Sequence, residues 1–159
     1  MLGLILTLFL SVWKQEPKVL FHNIVFGESR VDVMKDLKDL EPKPYCEFQE
    51  NNTQMCYSIE IINKIPVVVG WSFDKHDKLS AVVGAFDKPN YQFIKAYFLV
   101  TYDSPSSVSA DKDGELLQWF GRNMTVGLTT GSSDKDISIL YYAEKEKIDI
   151  KAIMKDKEI

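Results

Sequence analysis

Hydrophobic positions along this chain change period several times, and each change marks a predicted element. Residues 1–13, MLGLILTLFLSVW, are uncharged, and residues 14–19 form a short spacer that opens on the polar run KQEP. The segment up to residue 26 reads as a strand or extended entry. From Gly27 the period lengthens: Val33, Leu37 and Leu40 recur at i, i+4 and i+7, with Met34 beside them, and make one apolar helix stripe. Ser29 is placed to cap that helix, and Asp32 three residues later completes a capping-box-like pair at the positive helix end. Pro42 and Pro44 stop it.

Residues 45–86 are rich in β-branched and aromatic side chains. Segments 45–49 and 54–62 predict one hairpin, and 66–73 and 79–86 a second. Helical spacing returns at Tyr91, Ile94, Phe98 and Tyr102, with Tyr97 beside them and Pro89 suited to a first turn. Ile94 and Phe98 would then point inward, with Lys95 on the opposite face. The same β-branched and aromatic content makes a strand the competing reading. Residues 103–114 have the composition of a polar loop. Three more strands are predicted at 116–121, 123–129 and 137–142, and residues 144–159 read as a charged C-terminal helix or tail.

Helix then strands thus occurs twice. The expected fold is α+β: one domain over residues 20–143, an antiparallel sheet with two helices packed on one face, and a duplicated helix–strand module.

Composition alters this picture little. Over 159 residues, 45% are apolar and 26% charged, which argues against large-scale disorder. The net charge of −4 gives no electrostatic reason to bind nucleic acid or an anionic membrane.

The leader changes it more. Its apolar run matches a secretory h-region and falls short of the roughly 20 residues that span a bilayer. A basic n-region and a small-x-small pair before Lys14 are missing, as is a cysteine to take a lipid. A translation start placed a few residues late accounts for the missing basic residues; a buried N-terminal strand or helix is the competing reading. The first implies an exported protein, periplasmic, in the cell envelope or secreted, with no membrane span after signal removal.

Cysteine usage points the same way. The two cysteines, Cys46 and Cys56, flank the turn signal Glu-Asn-Asn-Thr at 50–53, so they would face each other on paired strands and form a disulfide. Two buried free thiols in a cytosolic protein are the alternative. Two cysteines alone do not make a zinc site.

Chemistry is sparsely signalled. His76 lies between Asp74 and Asp77, but the five residues 74–78 are all polar between two β-rich runs, which is a hairpin loop. His22, beside Phe21 and Ile24, reads as a partly buried, hydrogen-bonded histidine. A hydrolase would have to use one of these two imidazoles. Residues 109–115 contain the Asp-x-Asp-Gly core of a calcium loop, yet Ser109 and Phe120 stand at the first and bidentate positions, so a turn is expected. No catalytic, cofactor-binding or metal-ligating residue is nominated. The aromatics Trp71, Trp119 and Phe120 belong to the core, or else form a platform for protein contact on a sheet face left open by the helices.

Gly27-Glu-Ser29, the following Val33 and the closing Leu40-Glu-Pro42 resemble the opening of modules in small exported bacterial proteins. These include the small lipoprotein of the outer-membrane β-barrel assembly machine and the beta-lactamase inhibitory protein. The second copy would be the helix at 91–102 with Asp103-Ser-Pro105 as its stop. Glu41 and Asp103 stand where glycine is usual, and the lipid-bearing cysteine is missing. The resemblance implies a non-enzymatic protein that binds an unknown protein partner through its sheet face, without cofactor. A small-ligand carrier with an aromatic-lined pocket is the second functional reading, and the hydrolase the third.

Overall fold

The computed structural model describes residues 21–48, 53–111, 114–130 and 136–144. The signal-like segment 1–13, the spacer 14–19 and the tail from 145 lie outside the described residues.

The first helix, α1 (Arg30–Asp36), starts where its cap dictates. Ser29 holds extended φ/ψ, and its Oγ accepts from the Asp32 backbone N–H at 3.2 Å. Val33 and Leu37 are buried; the helix ends a turn before Leu40, which still packs against the core. The entry segment differs from expectation. Residues 21–28 form turns, because His22 and Asn23 both take left-handed backbone angles (φ 52° and 57°) that no strand accommodates.

Four strands follow: β1 (Tyr45–Phe48), β2 (Gln54–Ile62), β3 (Ile65–Phe73) and β4 (Leu79–Asp87). Between β2 and β3, Asn63 and Lys64 both have positive φ, the geometry of a two-residue hairpin matched to strand twist. A single 3-10 turn, Lys88–Asn90, leads into α2 (Tyr91–Tyr102), so the helix prevails over the strand reading. Four further strands follow among the described residues: β5 (Ser107–Asp111), β6 (Gly114–Phe120), β7 (Met124–Thr129) and β8 (Ile137–Glu144). The predicted polar loop at 103–114 therefore contains β5, an edge strand whose Ser-Val-Ser-Ala pattern looks like a loop because it has little to bury.

All eight strands form one sheet in the order β1-β2-β3-β4-β8-β7-β6-β5, every neighbouring pair antiparallel. Both helices pack on one side of it, α1 through Met34, whose Sδ lies 3.8 Å from Cys46 Sγ opposite Cys56. Phe21, from the entry turns, makes edge contacts with Trp71 and Tyr142, while Phe98 of α2 lies against Tyr142 and Trp119. No described helix is long and apolar enough to cross a membrane.

Cys46 and Cys56 are paired in register across β1 and β2 and joined by a disulfide. With the half-cystines ten positions apart in sequence, the bridge should contribute about 2–3 kcal/mol by constraining the unfolded chain. Urea denaturation of a Cys46→Ser/Cys56→Ser variant should show that loss; a change below about 0.5 kcal/mol would mean the bridge restrains nothing.

Candidate functional site

Period-two alternation assigns each strand residue to one of two faces. One row on the helix side reads Cys56, Trp71, Val82, Tyr142, Val126, Trp119 across β2, β3, β4, β8, β7 and β6, and every member is buried. Trp71 and Trp119 therefore belong to the core, and the platform expected from them is corrected: an indole under a helix cannot meet a partner. Phe120, one residue further along β6, points the other way and is half exposed.

The other face carries no described helix. An antiparallel sheet with one solvated face normally alternates apolar-in with polar-out; this face does not, and towards β7 and β8 it is itself buried at Thr129, Tyr141 and Ala143. Among the outward positions of β2–β4 and β6–β8, Asp87 at the end of β4 is the only charged residue. Glu60 and Glu115, also in these strands, point to the helix side. Instead the outward face presents Ile61 (65% exposed) and Val68 (51%), with Ile137 and Tyr45 beside them as exposed apolar groups. Edge strand β1 adds Glu47 at the margin.

Local packing stiffens this face. The rings of Tyr45 and Tyr57 stack at 5.2 Å, and Tyr57 pairs in register with Gly70. Tyr141 lies directly over Gly127, where a Cβ would sit 1.8 Å from its ring, so only glycine fits beneath it. Gln118 Nε2 donates to the Tyr141 hydroxyl at 2.9 Å, and burial pushes that hydroxyl above the usual tyrosine range. The result is a charge-poor surface held by side-chain packing.

The two histidines lie elsewhere and apart. His22 Nε2 is 3.0 Å from the buried carboxylate of Glu60. Ser58 Oγ donates to the other Glu60 oxygen at 3.1 Å and accepts from Trp71 Nε1 at 2.9 Å. Serine, acid and imidazole thus meet, but the carboxylate lies between the other two, whereas a nucleophilic triad needs the imidazole against the hydroxyl. The arrangement satisfies a buried carboxylate and ties the entry turns to β2.

His76 is exposed at the tip of the β3–β4 turn. Its flanking acids are occupied locally: the Asp74 carboxylate accepts from the backbone N–H groups of His76 and Lys78 at 2.8 and 3.0 Å, and Asp77 accepts from Arg30 Nε at 2.8 Å. This is turn chemistry. His76→Ala should change stability by less than about 0.5 kcal/mol in chemical denaturation, and a loss above about 2 kcal/mol would contradict the turn assignment.

Lys95 is not on the face of α2 opposite Ile94 and Phe98. It lies on a flank, with its Nζ 2.7 and 2.9 Å from the two Glu115 carboxylate oxygens, one of which also accepts from the Tyr91 hydroxyl at 2.7 Å. The hydrogen bond from Lys95 holds the Glu115 carboxyl below its usual range, while burial, reinforced by Glu115, raises the Tyr91 hydroxyl far above its own. Among the described residues, no group of three or more His, Cys, Asp or Glu side chains gathers to hold a metal ion.

The class these features define is an α+β protein, with two helices on one face of an antiparallel sheet and a charge-poor second face. No family model and no curated protein matches the chain. Among solved structures, a DUF4309 family protein, YjgB of Bacillus subtilis subsp. subtilis, is similar at 13% identity. The likeness covers 74% of this chain and 79% of that one with a TM-score of 0.43, too distant to carry over any role.

Sequence reasoning raised a sheet face left open by the helices but missed that this face lacks charge. Its signal was present: IPVVVGWSF and LSAVVGAF are nearly continuous apolar runs, the pattern of strands covered on both sides.

Proposed function

We propose that this is an exported, non-enzymatic protein-binding module that receives its partner on the open face of the sheet. The observation that carries the reading is a face on which Asp87 is the one charge among six central strands, and whose β2–β3 part leaves Ile61 and Val68 more than half exposed. A solvated antiparallel sheet has no use for such a face, and a partner that removes it from water gains about 25 cal/mol for each Å² of apolar surface covered. The disulfide supports export. We also read the halves as copies of one module, since each runs helix then four strands and the two sets meet at β4 and β8.

Photo-crosslinking in the native host tests the binding reading. A photoreactive residue in place of Ile61 should yield a discrete adduct with another protein, and one in place of His76, on the loop tip, should not. Equal adducts from both positions, or a small molecule retained in the purified protein at this face, would count against it.

A further inference from the structure

Helix α2 presents a second anomaly, on the opposite side of the molecule. Of its twelve residues only Lys95 is charged, and that ammonium is already held by Glu115. Tyr91, Ile94 and Phe98 face the core. Away from them, Phe93 (62% exposed), Ala96, Tyr97 (37%) and Val100 (88%) fall at i, i+3, i+4 and i+7 and form one stripe. A helix at a solvated surface carries polar and charged residues on its outer side, and one that is apolar all round is normally covered.

The order of side-chain sizes along the stripe indicates what covers it. It reads large, small, large, smaller: Phe93, Ala96, Tyr97, Val100. If a second α2 is laid antiparallel across it, with a two-fold axis between Ala96 and Tyr97, each large residue meets a small one. Phe93 then faces Val100, and Ala96 faces Tyr97. Gln92 and Thr101 meet at the margins as a polar pair. A two-fold contact requires a self-complementary patch of this kind. Charge agrees, because a chain of net charge −4 would repel its copy across most surfaces, whereas here no unpaired charge is brought together.

We propose that two copies of this chain associate through α2, antiparallel and back to back, so that the two open sheet faces point outward. The pair would hold two binding faces at once, which raises the avidity of the proposed function for a multivalent partner. A twelve-residue helix is about 18 Å long, so the contact falls below the standard interface size and the association is weak and reversible.

Sedimentation equilibrium of the full chain should show the weight-average mass rising from one chain towards two between about 10 µM and 1 mM, the concentrations that populate a weak, reversible pair. Val100→Glu, at a position with no part in the core, should restore the single-chain mass throughout with unchanged thermal midpoint. Oxidation of a Phe93→Cys/Val100→Cys variant should give covalent dimers at least tenfold faster than either single variant, since only the antiparallel register places these positions opposite. A single-chain mass at 1 mM, a dimer indifferent to Val100→Glu, or equally fast coupling through Phe93→Cys alone would each overturn the proposal. Loss of dimerisation with the Ile61 adduct intact would leave the binding module standing, and the reverse would leave the dimer standing.

Discussion

Replacing Phe98 by alanine should destabilise the protein by about 3–5 kcal/mol, a large share of the roughly 5–15 kcal/mol that holds a domain of this size folded. Phe98 is fully buried and touches three other aromatic rings: Tyr102 at 5.5 Å, Trp119 at 5.7 Å and Tyr142 at 6.5 Å between centroids. Its removal leaves a cavity between α2 and the sheet, bounded by side chains on three separate elements that cannot all collapse inward. Phe98→Leu should recover more than half of the loss. Chemical denaturation checks both variants. A loss below about 1 kcal/mol for the alanine variant would mean that α2 does not seal the core at this position.

Trp71→Ala should have an effect of similar size, about 3–5 kcal/mol, with a polar component that Phe98 lacks. Trp71 is fully buried in β3, with Phe21 edge-on at 6.0 Å. Its Nε1–H donates to Ser58 Oγ, which donates in turn to the Glu60 carboxylate that His22 holds from the other side. Truncation removes both the ring and one donor from a buried polar chain. Trp71→Phe separates the two contributions: it keeps most of the volume, and the lost hydrogen bond should cost about 1–3 kcal/mol. If Trp71→Ala left the thermal midpoint unchanged while abolishing partner binding, the core assignment would fail and the indole would belong to the interface after all.

The fold was legible wherever a local pattern and its tertiary setting agreed. Ser29 and Asp32 announced α1 because the cap is a contact between near neighbours. The β1–β4 hairpins followed from alternation and from polar residues 74–78, and Cys46 opposite Cys56 from the turn between them. The spacing of Tyr91, Ile94 and Phe98 gave the helix against a strand-like composition. The failures have physical causes as well. Residues 21–26 looked extended because two consecutive left-handed residues, His22 and Asn23, carry no composition signal unless glycine supplies it. Edge strand β5 borrows its hydrogen bonds from β6, and Ser-Val-Ser-Ala shows no apolar face of its own. Lys95 was assigned to solvent from helix spacing alone; its partner, Glu115, is twenty residues away in sequence.

The candidate surface was half legible. Aromatic content drew attention to Trp71 and Trp119, which turned inward, since large rings in strands mostly fill cores. What marks the surface is the near absence of charge from positions that alternate with the core, and that emerges only when six strands are set side by side in register.

The most direct test of the binding reading compares the wild type with Val68→Asp in quantitative affinity capture from the native host. Val68 lies near the middle of β3 with its side chain half exposed, so the fold should tolerate the substitution with its thermal midpoint within about 3 °C. A carboxylate forced into a desolvated contact should weaken partner capture at least thirtyfold, the equivalent of about 2 kcal/mol. Equal recovery of the same partner by both proteins would contradict the reading that the open sheet face is where this protein binds.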